Sequence, residues 1–509
     1  MTEVAVATTS QLAADAAAEI SGEGGNAVDC AVAAALLTMN TEPGVCALAG
    51  GAYVTIWPAI GDPVTIDGNV AVPGIDASQS NELLQIDPVH MEYGGGIDTL
   101  VGATSVAVPG SLAALELAID KYGSVPWKKI VGPSIRAAKQ GFPLSAACHH
   151  YLEYSGNPVY SRSDEGFYAL HDAQEALHPA GSTIVVPGLH ESLEAIAREG
   201  GRVFYEGDLA LRMTSHVQER GGLLSVADLQ RYEAILRPAL VTEIDLWKIA
   251  TNPPPAVGGA ILSAMLLGFR NRDFAAWNES ALRHLIDVQK AALTYRADVL
   301  DLSEDVRRDT ELLLTVAGRG ELVSRYASSS TVHTSAVDGD GCACAVTASS
   351  GYGSGEMPAA TGLWLNNCIG ELELNRHGLA AGPAGIRLPS NMAPSVARGS
   401  NTVLAVGSPG ADRITTAIHQ FLISYVQMGM SLADAVDQSR LHLEVRGPAP
   451  VLAVEPGLLL PETEMLLKIF PEKGMYFGGV GVALYDSVNG FKVAADPRRE
   501  GGTFVSRAS

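Results

Sequence analysis

From Thr331 the chain alternates. Thr331, His333, Ser335 and Val337 fall on one side of an extended segment and Val332, Thr334 and Ala336 on the other, a period of two that predicts a strand. The strand begins abruptly, after three serines at 328–330 and on a hydroxyl residue. Ahead of it the pattern is mostly helical. "GGNAVDCAVAAALLTMN" is glycine-led and alanine-rich and predicts a buried helix. "SLAALELAIDKYG" and "WKKIVGPSIRAAKQG" predict amphipathic helices closed by glycine. "DLALRMTSHVQERGG" and "SVADLQRYEAI" predict two more, the second with Ser225 and Asp228 in a capping-box spacing. Between them and the N-terminus, "LAGGAYVTIWPAIGDPVTIDGN" reads as a hairpin of two short strands.

Between about 300 and 330 the text turns charged and predicts a helix running out into an exposed linker. Beyond Thr331, "GCACAVTASS", "NTVLAVGS", "PAPVLAV", "GVGVALYD" and "FKVAA" predict strands, with one helix, "ADRITTAIHQFLISYVQMG", among them. The chain therefore divides near 330 into a helix-rich part, 1–330, and a strand-rich part, 331–509. Strands and helices in both favour an α+β layered sandwich with antiparallel sheets.

Composition narrows the function classes. Apolar residues make up 47% and charged ones 18%, with Gly 54 and Pro 27, as a well-buried globular protein requires. The net charge of −22 argues against a nucleic-acid partner and against an anionic membrane surface. No signal peptide or membrane span is legible, so a cytoplasmic protein is expected. No CxxC pair occurs among Cys30, Cys46, Cys148, Cys342, Cys344 and Cys368. Free buried thiols are the expectation, with a metal site at Cys342 and Cys344 as the alternative. No cofactor is called for.

Thr331 carries the candidate chemistry. A mid-chain threonine hydroxyl has no base of its own. An N-terminal threonine has one, because its α-amine titrates at roughly 7.7–8.0 and can take the hydroxyl proton. That requires a cut before Thr331, and the serine run is a suitable place for it. Such a nucleophile needs an oxyanion hole. "AVGSPGADRITTAI" offers a strand, a Gly-Pro turn and a helix start, where backbone N–H groups favour negative charge. Pro409 has no N–H, which leaves those of Gly410 and Ala411. His333 reads as a strand residue with a local hydrogen bond.

The ordered set "GGNAVDCAVAAAL", "VPGSLAALELAIDKYGSVPWKKIVGPSIRAAKQGFPL", "PPPAVGGAIL", "TVHTSAVDGDGCACAVT", "GLWLNN", "LPSNMAPS" and "VGSPGADRITTA" resembles the γ-glutamyltransferase family of N-terminal-nucleophile hydrolases over almost the whole chain. The resemblance implies a four-layer αββα sandwich and a proenzyme that cuts itself before Thr331. It implies pieces 1–330 and 331–509 that stay associated as one intertwined unit, a small-molecule substrate and no cofactor, with a homo-oligomer left open. It puts a second hydroxyl at Ser349 and the oxyanion donors on Gly410 and Ala411.

The departures from the family pattern concern substrate binding. The arginine that follows the early strand, suited to a carboxylate, is replaced in "TIDGNVAVPG" by Gly68 or Asn69. The asparagine after the second hydroxyl is absent from "TASSGYGSG". "NNCIGELE" puts Cys368 at a ligand position, Gly370 at the first acid and Glu371 at the second. Of a serine pair, Ser390 remains and Asn391 takes the second place. Losing one partner of a buried charge pair costs about 2–5 kcal/mol, so γ-glutamyl binding is expected to suffer. The resemblance then points to the branch that serves 4-alkyl-L-proline biosynthesis for lincosamide and pyrrolobenzodiazepine antibiotics, in which a C–C bond next to a carbonyl is hydrolysed. Two alternatives stand beside it. One is a true γ-glutamyl hydrolase or transferase with a clamp rebuilt from Asn69, Glu371 and Asn391. The other is an unprocessed binding homologue.

Overall fold

A computed structural model describes residues 2–77, 86–93, 96–319, 331–375, 377–445 and 449–506. The serines at 328–330, the expected site of the cut, and the linker expected after 319 lie outside the described residues.

Thirteen strands form two large sheets. Six come from the first part: β1 (Val4–Thr8), β2 (Gly51–Trp57), β3 (Val64–Gly68), β4 (Ile235–Pro238), β5 (Leu240–Ile244) and β6 (Trp247–Thr251). Seven come from the second: β7 (Val332–Asp338), β8 (Ala343–Ser349), β9 (Ser395–Arg398), β10 (Thr402–Gly407), β11 (Gly481–Asp486), β12 (Gly490–Ala495) and β13 (Gly502–Val505). One sheet runs β13-β1-β7-β8-β2-β3-β4, the other β12-β11-β10-β9-β6-β5. Every pairing within them is antiparallel. The division near 330 therefore holds for most helices but not for strands, since both parts supply strands to both sheets.

Helices cover the outer faces. α1 (Gln11–Gly22), α2 (Ala27–Thr41), α3 (Ser111–Tyr122) and α4 (Trp127–Gln140) pack on the seven-stranded sheet or on one another. α5 (Gly258–Phe269), α6 (Glu279–Asp298), α7 (Val306–Arg319) and α8 (Arg413–Leu422) lie on the far side of the other. The result is an αββα sandwich. α2 shows why the sequence settles this way. Asn26 and Asp29 close a capping box, and every residue from Ala27 to Thr41 is buried, which suits a run of alanines wedged between a sheet and other helices. The helix opened by Ser225 has a full capping box but stops at Arg231, and the following residues turn into β4. α8 widens into one π-helical turn, Ile423–Gln427.

Between the sheets the filling is small: Ala5, Ala250, Val337, Ala343, Ala345, Ala405 and Ala483, with Trp57 at one end. Short side chains let the sheets approach closely. His333 is the exception on β7. Its ring bonds Thr347 Oγ1 at 2.8 Å and Ser335 Oγ at 2.7 Å. A Cβ on Gly407 would fall 2.3 Å from the ring, so β10 needs glycine there. Burial pushes the imidazole down to about 3, and His333 is the strand residue with local hydrogen bonds expected of it. All six cysteines are buried and free, and no cluster of metal-ligating side chains occurs among the described residues. Nor is any described helix long and apolar enough to cross a membrane.

Candidate active site

β7 pairs with β8 in a register that sets Val332 opposite Ala348. Extended by one residue, that register puts Thr331 level with Ser349, the last residue of β8. Ser349 is in turn opposite Gly51 on β2. The glycines of "LAGG" are required here. A Cβ on Gly50 would lie 2.4 Å from the Ser349 carbonyl oxygen, and one on Gly51 would lie 2.7 Å from Asn69 Oδ1. Bare backbone on β2 thus lets Ser349 and Asn69 close in from either side. Thr331 itself is buried at 2% exposure.

Seven of the nine residues singled out in the sequence line one cavity: Thr331, Ser349, Asn69, Cys368, Glu371, Ser390 and Asn391. Its volume is about 20 Å³, room for little more than one water. Gly410 and Ala411 adjoin it. Asn391 Nδ2 donates to the Ala411 carbonyl at 2.7 Å, and Ile414, the second residue of α8, is part of the cavity wall.

The turn before α8 is conformationally unusual. Gly410 has φ +116° and Ala411 φ +68°. A left-handed alanine costs about 1–2 kcal/mol, and such strain collects at functional sites. Gly410 also has no space for a side chain, because a Cβ would meet Gly478 Cα at 2.5 Å. The carbonyls of Gly410 and Ala411 accept the first amides of α8, from Arg413 at 3.0 Å and Ile414 at 3.2 Å. Their own N–H groups donate to no backbone acceptor among the described residues. Two unspent donors at a helix N-terminus are what an oxyanion needs.

The wall of this cavity carries one carboxylate, Glu371, beside the amides of Asn69 and Asn391. Asn69 Nδ2 donates to the Leu388 carbonyl at 2.7 Å, which ties this side chain to the 388–391 segment. Asn391 Oδ1 is buried with no hydrogen-bond partner among the described residues. Gly68 has no room for any side chain: a Cβ would fall 2.3 Å from Ala114 Cβ and 2.6 Å from the Gly110 oxygen. A Cβ on Gly370 would lie 2.1 Å from the Leu100 oxygen. Positions 68 and 370 therefore admit no side chain, whereas Asn69, the other place considered for the arginine, keeps its side chain in the cavity wall.

Two features had no signal in the sequence, and a third lay in a quoted segment to which no structural role had been given. Asp67, fully buried, pairs with Arg237 Nη2 at 2.8 Å and with Arg387 Nε at 3.5 Å. These arginines stand some 150 residues apart in the chain and meet only because β4 is the edge strand beside β3 and residue 387 bridges to Ala71. They also line a wider cavity, about 820 Å³, which shares Pro389 with the first. The third feature is the asparagine pair. Asn366 bonds Ala49 and Ala107, and Asn367 bonds Tyr352, Thr99 and Leu100. They fasten the loop that carries Cys368 and Glu371.

A family model described as Gamma-glutamyltranspeptidase matches residues 13–506. The chain belongs to the gamma-glutamyltranspeptidase family. It is therefore an enzyme of an autoprocessed N-terminal-nucleophile class of hydrolases and transferases. Among its relatives is the glutathione hydrolase proenzyme of Escherichia coli (strain K12), 28% identical over 472 residues, 86% of this chain and 80% of that one. Another is the acylase ACY 1 proenzyme of Pseudomonas sp. (strain V22), 27% identical over 461 residues, covering 86% and 82%. Among solved structures, the fold is similar to cephalosporin acylase from Bacillus halodurans, with a TM-score of 0.79 at 21% identity, covering 99% of this chain and 96% of that one. It is also similar to the protein LmbA2991HD, with a TM-score of 0.75 at 18% identity, covering 100% and 99%. These likenesses establish the N-terminal-nucleophile sandwich for this gamma-glutamyltranspeptidase homologue.

Proposed function

We propose that this enzyme cuts itself before Thr331 and then uses Thr331 to hydrolyse an acyl group other than γ-glutamyl, with a carbon–carbon bond next to a carbonyl as the target. The observation that carries the reading is a combination in and around one cavity. A threonine and a serine stand level on adjacent strands beside an unspent N–H pair, while Gly68 and Gly370 have no room for the ionic groups of a glutamate clamp.

The chemistry follows from those positions. The Thr331 α-amine takes the hydroxyl proton as Oγ1 attacks the carbonyl carbon. The N–H groups of Gly410 and Ala411 hold the tetrahedral oxyanion. As the carbonyl reforms, the carbon–carbon bond breaks, and the departing carbon keeps the electron pair and takes the proton from the amine. Water then attacks the acyl-Thr331 ester and regenerates the hydroxyl, so the products are a carboxylic acid and a C–H compound. Arg237 and Arg387 share one buried acid, Asp67, and line the wider cavity together with Arg307 and with Asp301, Glu304 and Asp305. A substrate carboxylate, as on a pyrroline acid of the 4-alkyl-L-proline pathway, suits the part of that wall held by Arg237 and Arg387. The likeness to an Lmb protein is in keeping with this branch.

A second reading has one observation in its favour. Asn391 Oδ1 lacks a partner and faces the same cavity as the buried Glu371, and two acceptors there suit an α-ammonium of a γ-glutamyl compound. Steady-state turnover of a γ-glutamyl anilide beside an acyl-bearing pyrroline acid separates the two. Release of the carboxylic acid from the pyrroline alone supports the first reading, and efficient anilide turnover sinks it.

A further inference from the structure

A second cleft lies near the start of β7. It has a volume of about 260 Å³ and is lined by Val332, by Thr9 to Leu12, by Thr41 and Glu42 and by Arg499, among others. None of its lining residues belongs to the cavity around Thr331. Two opposite charges are sunk into it, Glu42 at 5% exposure and Arg499 at 8%. Glu42 Oε1 accepts from Thr9 Oγ1 at 3.1 Å. Arg499 Nε makes no hydrogen bond, and Nη2 reaches only the Met475 carbonyl, at 3.4 Å. Among the described residues the two form no ion pair with each other. Buried charges left apart in this way are costly, and burial accordingly pushes the Glu42 carboxyl up to about 7 even with Arg499 nearby.

Helix ends of both signs surround them. Glu42 stands just past the C-terminus of α2, the negative end of that helix. α1 starts at the cleft after its cap Ser10, and a ten-residue helix, Ala146–Ser155, starts there after its cap Ser145. Those two N-termini are positive ends. The cleft thus gathers helix ends of both signs around one carboxyl and one guanidinium. Glu500 stands exposed at the rim.

We propose that this cleft is a second binding site, separate from the acyl cavity, for a small zwitterionic α-amino acid whose ammonium meets Glu42 and whose carboxylate meets Arg499. Neither an amine alone nor a carboxylate alone completes it, because each leaves one buried charge without a partner. Val332 is part of its wall, so an occupant touches the residue that directly follows the nucleophile.

Isothermal titration calorimetry on the full-length protein with glycine, L-alanine and L-serine tests this. The expected result is saturable binding of at least one of the three. N-acetyl-L-alanine and L-alaninamide, which each lack one charge, bind more weakly by at least about tenfold. Glu42→Gln and Arg499→Gln each lose at least about tenfold. Two results would overturn the proposal: no saturable binding of any of the three by the folded protein, or native-like binding by either Glu42→Gln or Arg499→Gln. If a variant does not fold, as read by circular dichroism, the two analogues on the native protein decide: binding of either one as tightly as L-alanine overturns the proposal.

Discussion

Gly370→Ala asks whether the missing acid of the substrate clamp is closed off by packing. The new Cβ would lie 2.1 Å from the Leu100 oxygen and 2.8 Å from its carbonyl carbon, far inside ordinary contact. Either the 97–100 strand or the 366–371 loop must move by more than an ångström. That movement breaks two hydrogen bonds to the Gly370 oxygen, from Leu100 N at 2.9 Å and Thr99 Oγ1 at 3.0 Å. Two such bonds at about 0.5–1.5 kcal/mol each, added to overpacking at about 1–3 kcal/mol, give a loss of roughly 2–6 kcal/mol. Restricting the unfolded chain offsets about 0.4–1 kcal/mol of it. Gly318→Ala is the matched control. It lies in α7 with nothing within 4 Å of the new methyl, and it should gain about 0.5–1 kcal/mol. Guanidinium midpoints for the three proteins at one pH read the difference. A Gly370→Ala midpoint equal to that of the native protein would refute the packing argument, and with it the claim that an acid cannot stand at 370.

Thr331→Ala should lose self-cleavage and turnover, the latter by about 10⁴-fold or more; gel mobility and substrate turnover read both. Ser349→Ala should cleave more slowly or turn over about 10–100-fold more slowly, and unchanged single-turnover rates would remove Ser349 from the site. Ala411→Gly should keep its turnover, because the donor is a backbone N–H, and should gain up to about 1.5 kcal/mol as left-handed strain of about 1–2 kcal/mol is exchanged for glycine entropy of about 0.5–1 kcal/mol; a fall in both stability and rate would contradict the turn geometry. Burial holds His333 and His419 at about 3 in the fold, against 6.5 when unfolded. The unfolded chain then takes up protons that the native state refuses, so stability falls as pH drops from 6.5 towards 3, by about 1.4 kcal/mol per pH unit for each group. Glu42, raised to about 7, acts in the opposite sense between 7 and 4.5, so denaturant midpoints should fall most steeply below about pH 4.5 and less steeply in His333→Gln.

Much of this was legible in local pattern. The alternation from Thr331, the alanine-rich buried helix and the hairpin at 51–68 all appear where period and capping put them. β1 and the β4–β6 stretch were not read as strands. Val4–Thr8 is only five residues long and becomes a strand by pairing with β7, more than 300 residues away. Ile235–Pro238 is mostly exposed and ends in proline, as an edge strand can. The residues that line the small cavity were legible in that each stood in a recognisable segment. Asp67, Arg237 and Arg387 were not, because only the sheet edge brings them together. Neither was the Glu42–Arg499 cleft, whose two charges lie at opposite ends of the chain. Steric closure at Gly68 and Gly370 was beyond reach too, since a glycine in sequence does not say what fills the space of its absent side chain.

The central claim is that Thr331 becomes a chain terminus with a free amine. The denaturing mass of the purified protein, with N-terminal sequencing of each species, tests it most directly. Two species that together account for the whole chain, the smaller beginning at Thr331, are the predicted result. A single species of 53.1 kDa in the catalytically active protein would contradict it, because Thr331 would then have no amine to take its proton.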